Sequence, residues 1–214
     1  FSHNNIVGTF PEKVPGNLKA IHMSGINLIG TIPSSVFDND GLVSFSVDGN
    51  FLTGTIPQTI GKARSLIMLT LENNALTGTI PSSIGELQEL RIVFAHSNNL
   101  HGTLPGAMGQ QLHYLELGNN NLSGTLPESF SNLTNLEFLD LARNDMEGNI
   151  NFLCDLDIPF MYSDCGGENK EIDCDCCLMC CDDEEGTCNV YLSAWAFGRR
   201  YCSREGLGTI ICGK

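Results

Sequence analysis

Several aromatic, apolar and charged side chains of this sequence recur at intervals of 22 or 24 residues, a spacing that would align them in a structure repeating with the same period. They are Met68, Glu72, Ile92, Phe94, His96, Tyr114, Glu116, Phe138, Asp140 and Arg143. An exposed aromatic row with charged neighbours is typical of a surface that binds a protein or stacks against a sugar. These residues are therefore the candidate ligand-binding surface.

The same side chains offer little support for catalysis. His96 could meet Glu72 or Glu116 across neighbouring strands, but such a pair is far more often a surface hydrogen bond than an acid–base pair. The sequence contains no Gly-x-Ser-x-Gly, no His-Glu-x-x-His, no phosphate-binding loop and no dinucleotide fingerprint. We therefore predict no catalytic residues, no enzyme activity and no resident cofactor.

Cysteine chemistry is confined to the last part of the chain. The ten cysteines are Cys154, Cys165, Cys174, Cys176, Cys177, Cys180, Cys181, Cys188, Cys202 and Cys212. Disulfides are the default for such a dense and even set in an extracellular chain. In a reduced setting, the Cys-x-x-Cys formed by Cys177 and Cys180 could instead hold zinc or exchange disulfides. We expect the neighbours Cys176 and Cys177 to pair with distant partners, although spacing does not assign them.

An acidic run follows the cysteine cluster and consists of Asp182, Asp183, Glu184 and Glu185. Carboxylate oxygens of this kind can collect Ca²⁺, but a run of like charges is more commonly a solvated loop. We therefore predict no metal site and keep Ca²⁺ at these four residues as the alternative.

Composition points to the outside of the cell. The cysteines occur with two glycosylation sequons, which begin at Asn121 and Asn132. The net charge of −14 makes nucleic acid an unsuitable partner, because phosphate binding needs a basic face. No apolar run is long enough to predict a membrane span. Without an initiator methionine or a signal-peptide pattern, we expect a mature or excised piece of a longer chain.

A repeated framework must position the candidate surface. The pattern Leu-x-x-Leu-x-Leu-x-x-Asn-x-Leu-x-Gly-Thr-(Ile/Leu)-Pro recurs through the first 150 residues, with copies such as LIMLTLENNALTGTIP and LHYLELGNNNLSGTLP. Its first leucines are Leu18, Leu42, Leu66, Leu90, Leu112 and Leu136. The pattern resembles the plant-type leucine-rich repeat, whose mark is the Gly-x-(Ile/Leu)-Pro after the strand.

The resemblance implies an α/β-type repeat solenoid, a right-handed superhelix with a parallel concave β-sheet and a convex side of short 3₁₀ turns or loops. The leucines alternate as in a strand, and the asparagines at 50, 74, 98, 120 and 144 would form a hydrogen-bonded ladder. Ile26 occupies that position in the first full repeat, so we expect the ladder to be broken there. Threonines after the repeat glycines would form a second row, and regular threonine rows also occur in ice-binding solenoids.

We predict two parts, a solenoid at 1–153 with a partial first repeat and six further repeats, and a cysteine-rich capping module at 154–214. Six apolar side chains would dock the module on the last coil: Phe152, Leu153, Leu156, Ile158, Phe160 and Met161. The segment Asp164-Cys165-Gly166 and residues 174–181 (CDCCLMCC) resemble the cysteine-rich segment that follows plant-type repeats in secreted or membrane-anchored diatom proteins.

These features predict a non-catalytic extracellular or cell-surface recognition module, either a receptor ectodomain or a secreted or wall-associated protein. Its ligand, a protein or a glycan, would bind the concave face. The resemblance leaves an inhibitor of a secreted polysaccharide hydrolase as an alternative. A structural wall or adhesion protein with a Ca²⁺-binding acidic cap, and an ice-binding protein using the threonine row, are further alternatives.

Overall fold

The computed structural model describes residues 8–11, 13–165, 172–182, 187–190, 202–204 and 210–212. Its strands are β1 (Ala20–His22), β2 (Ile29–Thr31), β3 (Ser44–Ser46), β4 (Phe51–Thr53), β5 (Met68–Thr70), β6 (Thr77–Gly78), β7 (Ile92–Phe94), β8 (Asn99–Gly102), β9 (Tyr114–Glu116), β10 (Asn121–Gly124), β11 (Phe138–Asp140), β12 (Asp145–Met146), β13 (Gly148–Asn149), β14 (Phe160–Ser163), β15 (Ile172–Asp173), β16 (Met179–Asp182), β17 (Thr187–Val190), β18 (Cys202–Arg204) and β19 (Ile210–Cys212). Its 3₁₀ helices are η1 (Ser34–Asp38), η2 (Gln58–Lys62), η3 (Ser82–Glu86), η4 (Glu128–Asn132) and η5 (Asn151–Leu156).

Strands of three or four residues from successive coils form a common concave sheet, with the strand order β1-β3-β5-β7-β9-β11-β14-β16-β17. Neighbouring strands are parallel up to β16, and β17 is antiparallel to β16. In β1, β3, β5, β7, β9 and β11 the middle residue is buried while its two neighbours face the concave side. This arrangement confirms the predicted parallel concave sheet.

The convex side is built from short 3₁₀ helices, as predicted. Prolines 33, 57, 81 and 127 immediately precede η1, η2, η3 and η4. The coil after Pro105 is the exception, because residues 105–109 form no helix. That coil belongs to the repeat with the 22-residue step, so the two missing residues are taken from the convex side and the concave register is kept.

Between the two faces lies a continuous apolar core. It consists mainly of the repeat leucines, and Leu66, Leu69, Leu71 and Leu76 have no exposed surface. Phe37 and Phe45 are buried in the first coils and meet edge to face, with ring centroids 5.3 Å apart. Because each coil buries its leucines against its neighbours, the coils stabilise one another and no coil is a separate folding unit.

The asparagine ladder connects each coil to the one before it. Asn98 Nδ2 donates to the carbonyls of Ala95 in its own coil and Leu71 in the preceding coil, at 3.2 and 3.1 Å, and its Oδ1 accepts from Leu76 N–H at 3.0 Å. The asparagines at 50, 74, 120 and 144 repeat this pattern. Ile26 is buried in the core instead, and its N–H donates to Asn50 Oδ1 at 3.1 Å.

The glycine–threonine pair of each repeat has a packing role. Gly54 and Gly78 adopt φ values of 76° and 78°, which favour glycine. A Cβ added to them would lie 2.8 and 2.7 Å from the γ-methyl groups of Thr31 and Thr55 in the preceding coil. The threonine methyl therefore occupies the space that the next glycine leaves open, and each pair fixes the distance between two coils.

The concave sheet continues beyond the solenoid end predicted at residue 153. In β14, Phe160 pairs with Phe138 of β11, and Tyr162 pairs with Asp140 in the same register. Leu153 and Met161 are buried against the last coil as expected, but Phe160 lies on the concave side. Alternation explains the difference, because in a strand that buries Met161 the preceding residue must point to the opposite face.

Asp164 completes the last asparagine-bearing coil. Its two carboxylate oxygens accept the N–H groups of Arg143 and Asn144 at 2.7 and 3.0 Å. In earlier coils the corresponding N–H groups reach backbone carbonyls of the next coil, as Asn98 N–H reaches Asn119 O at 3.2 Å. The side chain of Asp164, which is 4% exposed, thus supplies the hydrogen-bond acceptors that backbone carbonyls supply in earlier coils.

Disulfides fasten the segment after this coil. Cys154 is bonded to Cys176, which ties η5 to the segment beyond β15, and Cys174 is bonded to Cys177. The expectation of distant partners is right for Cys176 and wrong for Cys177, because a short turn brings Cys174 close to it. This bond also removes Cys177 from the Cys-x-x-Cys that could have held zinc.

Candidate ligand-binding face

The strand register places the predicted surface residues in columns across the concave sheet. One column runs through Ala20, Ser44, Met68, Ile92, Tyr114 and Phe138. A second runs through His22, Ser46, Thr70, Phe94, Glu116 and Asp140. Glu72, His96 and Arg143 lie just after their strands, beside these columns. The repeat spacing therefore brings the ten predicted residues to one face.

The amino-terminal half of this face is polar and internally satisfied. Asp48 Oδ1 accepts hydrogen bonds from the hydroxyls of Ser24, Ser46 and Thr70 at 2.5, 2.7 and 3.4 Å. Burial raises the pKa of Asp48, but the hydrogen bonds from Ser24, Ser46, its own backbone N–H and Thr70 together lower it by more, so the pKa lies below its ordinary value. This oxygen of Asp48 is therefore already used within the protein.

The carboxyl-terminal half carries the aromatic row, which is longer than the sequence predicted. Phe138 contacts Phe160 and Tyr162 of the next coil, with ring centroids 6.1 and 5.3 Å apart. On the other side of Phe138, Tyr114 donates its hydroxyl to Glu137 at 2.9 Å. Phe160 and Tyr162 were missed because their coil lacks the leucine and asparagine pattern. A period of 22 residues counted from Phe138 and Asp140 would have located both.

A pocket of about 460 Å³ opens at this end of the face. It is lined by His96, Ser97, Glu116, Gly118, Asn119, Phe138, Asp140, Ala142, Arg143 and Tyr162. Five predicted residues line it, while Met68, Glu72, Ile92, Phe94 and Tyr114 lie on the sheet beside it. A concave site with apolar walls and a few convergent polar groups is the usual form of a ligand pocket.

Two carboxylates give the pocket its charge. Glu116 Oε2 lies 3.6 Å from His96 Nε2, and Asp140 Oδ1 accepts the N–H of Ala142 at 2.9 Å. Burial raises the pKa of both carboxyls above the ordinary range, while His96 acts in the opposite direction on both and Arg143 on Asp140. The pocket therefore holds partly desolvated acids, because the effect of burial exceeds the opposing effects of His96 and Arg143.

Glu72 is the most perturbed acid of the face. Burial chiefly, and then the charges of Asp48 and Glu116, raise the pKa of its carboxyl to about 7. Its Oε2 is buried and accepts no hydrogen bond within the described part of the chain. A buried acceptor without a donor destabilises the folded state, most strongly when the group is charged.

We expect Glu72→Gln to stabilise the protein in alkaline solution. A carboxyl whose pKa rises from 4.5 to about 7 on folding favours the folded state below pH 4.5, and this stability is lost as pH rises through 7. Removing the charge should raise the free energy of unfolding by about 1–2 kcal/mol at pH 8, allowing for solvent screening, and change it little at pH 4.5. Urea unfolding at both pH values measures this.

The exposed Glu89, in the turn between η3 and β7, offers the matched control for that experiment. Glu89→Gln removes the same charge without changing a buried group, so its effect should be small at both pH values. An equal effect of the two substitutions at pH 8 would mean that net charge, and not burial of Glu72, decides the result.

The remaining predicted sites fall partly inside the described chain. Cys154, Cys165, Cys174, Cys176 and Cys177 are disulfide-bonded, and the side chains of Cys180, Cys181, Cys188, Cys202 and Cys212 lie outside the described residues. The side chain of Asp182 also lies outside the described residues, as do Asp183, Glu184 and Glu185 entirely.

Asn121 and Asn132 are exposed, as glycosylation requires. In the described residues, no helix has the length and apolar character for a membrane crossing, and no cluster of three potential metal ligands occurs.

Comparison with known proteins agrees with this fold. Residues 65–87 and 111–133 match the sequence model of the Leucine Rich Repeat family, and no curated protein sequence matches significantly. A plant peptide hormone receptor, RGFR1 in complex with RGF2, is 32% identical with a TM-score of 0.71, over 81% of this chain and 28% of the receptor chain. Pollen Receptor Kinase 3 is 28% identical with a TM-score of 0.65, over 73% of this chain and 76% of that chain.

A plant ice-binding protein is also similar, at 26% identity and a TM-score of 0.65, over 79% of this chain and 52% of that chain. The chain thus spans less than a third of the hormone receptor and about half of the ice-binding protein. Proteins that share this architecture therefore include both a hormone receptor and an ice-binding protein. The function of this chain must be argued from its candidate site and not from its fold.

Proposed function

We propose that this leucine-rich-repeat solenoid, similar in fold to plant receptor ectodomains, is a non-catalytic extracellular recognition module that binds a peptide or protein segment on its concave face. One observation carries the proposal: aromatic side chains and partly desolvated acids converge on a single pocket at one end of that face. Structures similar to this one include receptors solved with peptide hormones, among them RGFR1 with RGF2 and HAESA with IDA.

The rest of the proposal concerns the setting of the module. The disulfides of the described cysteines and the exposed sequon asparagines suit an oxidising, secretory environment. We assign residues 154–214 to a capping module like the cysteine-rich segment of the diatom proteins that it resembles. We propose that the module needs no cofactor, and we place it outside the cell, either at its surface or secreted.

The threonine row is not needed for this function. Thr31, Thr55, Thr79, Thr103 and Thr125 are exposed and aligned, as predicted. Their γ-methyl groups also pack beneath the glycines of the next coils. Packing between neighbouring coils therefore accounts for the row.

Panning a displayed library of random twelve-residue peptides on the immobilised chain tests the proposal. We expect Phe94→Ala combined with Tyr114→Ala to weaken binding of the enriched peptides at least tenfold, because aromatic anchors contribute most to such interfaces. Synthetic copies of those peptides, labelled with a fluorophore, give the dissociation constants by fluorescence anisotropy.

Phe51→Ala is the matched control, since Phe51 is 61% exposed and lies on the flank of the solenoid in β4. It removes an aromatic ring of the same kind outside the concave face and should leave binding unchanged. Equal loss in both variants would mean that the effect is not specific to the concave face, and no loss in either would mean that the ligand does not contact the sheet beside the pocket. Failure of the library to yield any binding peptide would overturn peptide recognition.

A further inference from the structure

The acids of the pocket have oxygen atoms that the protein does not use. Within the described chain, no residue donates a hydrogen bond to Glu116 Oε1 or Asp140 Oδ2, whereas Glu116 Oε2 lies near His96 and Asp140 Oδ1 accepts the N–H of Ala142. Asp140 Oδ2 lies over the backbone of Gly118, where an added Cβ would be only 2.7 Å away. The missing side chain at Gly118 therefore leaves room for a carboxylate inside the pocket.

Aromatic rings lie beside these acids. Phe138 and Tyr162 line the pocket with ring planes inclined at 51°. Burial raises the pKa of Tyr162, and the negative charges of Asp140 and Glu116 raise it further, so the phenol faces the same acidic space. A cation placed here would be attracted both by the negative charge of the carboxylates and by the electron-rich faces of the aromatic rings.

The structure also bears on the kind of cation. No group of three His, Cys, Asp or Glu side chains among the described residues is arranged to hold a metal ion. An organic cation with a planar, weakly hydrated head suits the site better, because a guanidinium can donate to a carboxylate and stack on a ring together. The pocket volume of about 460 Å³ accommodates such a side chain with part of its backbone.

We infer that this pocket recognises a basic side chain, preferably arginine, of an extended peptide lying on the concave face. The inference rests on the proposed function and specifies its ligand. Glu116 and Asp140 supply the counter-charge, Phe138 and Tyr162 the aromatic walls, and Gly118 the space. Arg143 at the exposed rim favours peptides in which the basic residue is flanked by neutral or acidic residues.

The test uses the peptides enriched on the wild-type chain, synthesised with both ends capped. We expect each to contain an arginine or lysine whose replacement by citrulline, the neutral isostere of arginine, weakens binding at least tenfold. Glu116→Gln combined with Asp140→Asn should weaken the arginine peptide by a similar factor and leave the citrulline peptide nearly unchanged. This coupling, measured as a double-mutant cycle, separates direct contact from general loss of charge.

Two further variants sharpen the result. Gly118→Ala keeps every charge but displaces the Asp140 carboxylate, so it should weaken the arginine peptide several-fold. Glu86→Gln combined with Glu89→Gln removes two exposed acids outside the concave sheet and should change neither affinity.

Enriched peptides without basic residues, or equal affinities for arginine and citrulline forms, would overturn the inference while leaving peptide recognition intact. If no peptide is enriched, the inference falls together with the proposed function. Binding of free arginine amide as tightly as the peptide would show that the pocket takes a small cation and not a peptide side chain.

Discussion

Replacing Asn98 by alanine is expected to lower the free energy of unfolding by about 3 kcal/mol. Asn98 is 8% exposed, and its amide satisfies Leu76 N–H and the carbonyls of Leu71 and Ala95 in two adjacent coils. Alanine would leave these backbone groups buried without partners, at a cost of about 1–3 kcal/mol for each unsatisfied group, reduced where water can enter. Urea unfolding followed by circular dichroism measures the loss.

The adjacent Asn99 supplies the control, because it has the same side chain but points to solvent in β8. Asn99→Ala should change stability by less than about 0.5 kcal/mol. A loss for Asn98→Ala no larger than this would mean that the ladder contributes only to alignment of the coils. Asn98→Asp keeps the acceptor but loses both donors, and should be as destabilising as alanine.

A loss of similar size, about 3 kcal/mol, is expected for Asp164→Ala. The carboxylate accepts the N–H groups of Arg143 and Asn144, and hydrogen bonds to charged groups contribute about 1.5–3 kcal/mol each. Because these residues border the candidate pocket, the substitution should also loosen that end of the concave face. Hydrogen exchange of the two amides, together with urea unfolding, reports both effects.

The exposed Asp155 in η5 serves as the comparison, since Asp155→Ala removes an acid from the same region without a buried contact. Asp164→Asn should lie between wild type and alanine, because an amide retains one of the two acceptor oxygens. If exchange at Arg143 and Asn144 does not accelerate in Asp164→Ala, water or another group must replace the carboxylate there.

Much of this molecule follows from periodicity. A parallel sheet requires equivalent residues to lie side by side, so a fixed interval along the chain became a column on the surface, as for Met68 and Ile92. The shortened repeat did not disturb this prediction, because the two residues it lacks come from the convex side. The buried asparagines were predictable for the same reason, since a repeated turn offers each of them the same backbone groups.

What sequence did not reveal lies where the pattern stops. Tyr162 and Phe160 belong to a coil whose framework positions hold Ile158 and Met161, so no leucine signature marked it. The role of Asp164 depends on the distance between its carboxylate and the preceding turn. The bond of Cys177 to Cys174 depends on a local turn that cysteine spacing does not encode.

The backward direction of the asparagine ladder has a consequence for how the chain behaves under tension. The N–H of Leu76 donates to Asn98 in the coil that follows it. Removing the later coil would therefore leave backbone groups of the earlier coil without their hydrogen-bond partners. A pull applied at the carboxyl end would first separate β16 from β14, would then act on Cys154 through its disulfide to Cys176, and would release the preceding coils in turn. Each release would free 22 or 24 residues, roughly 80 Å of contour length. The solenoid would therefore lengthen in nearly equal steps.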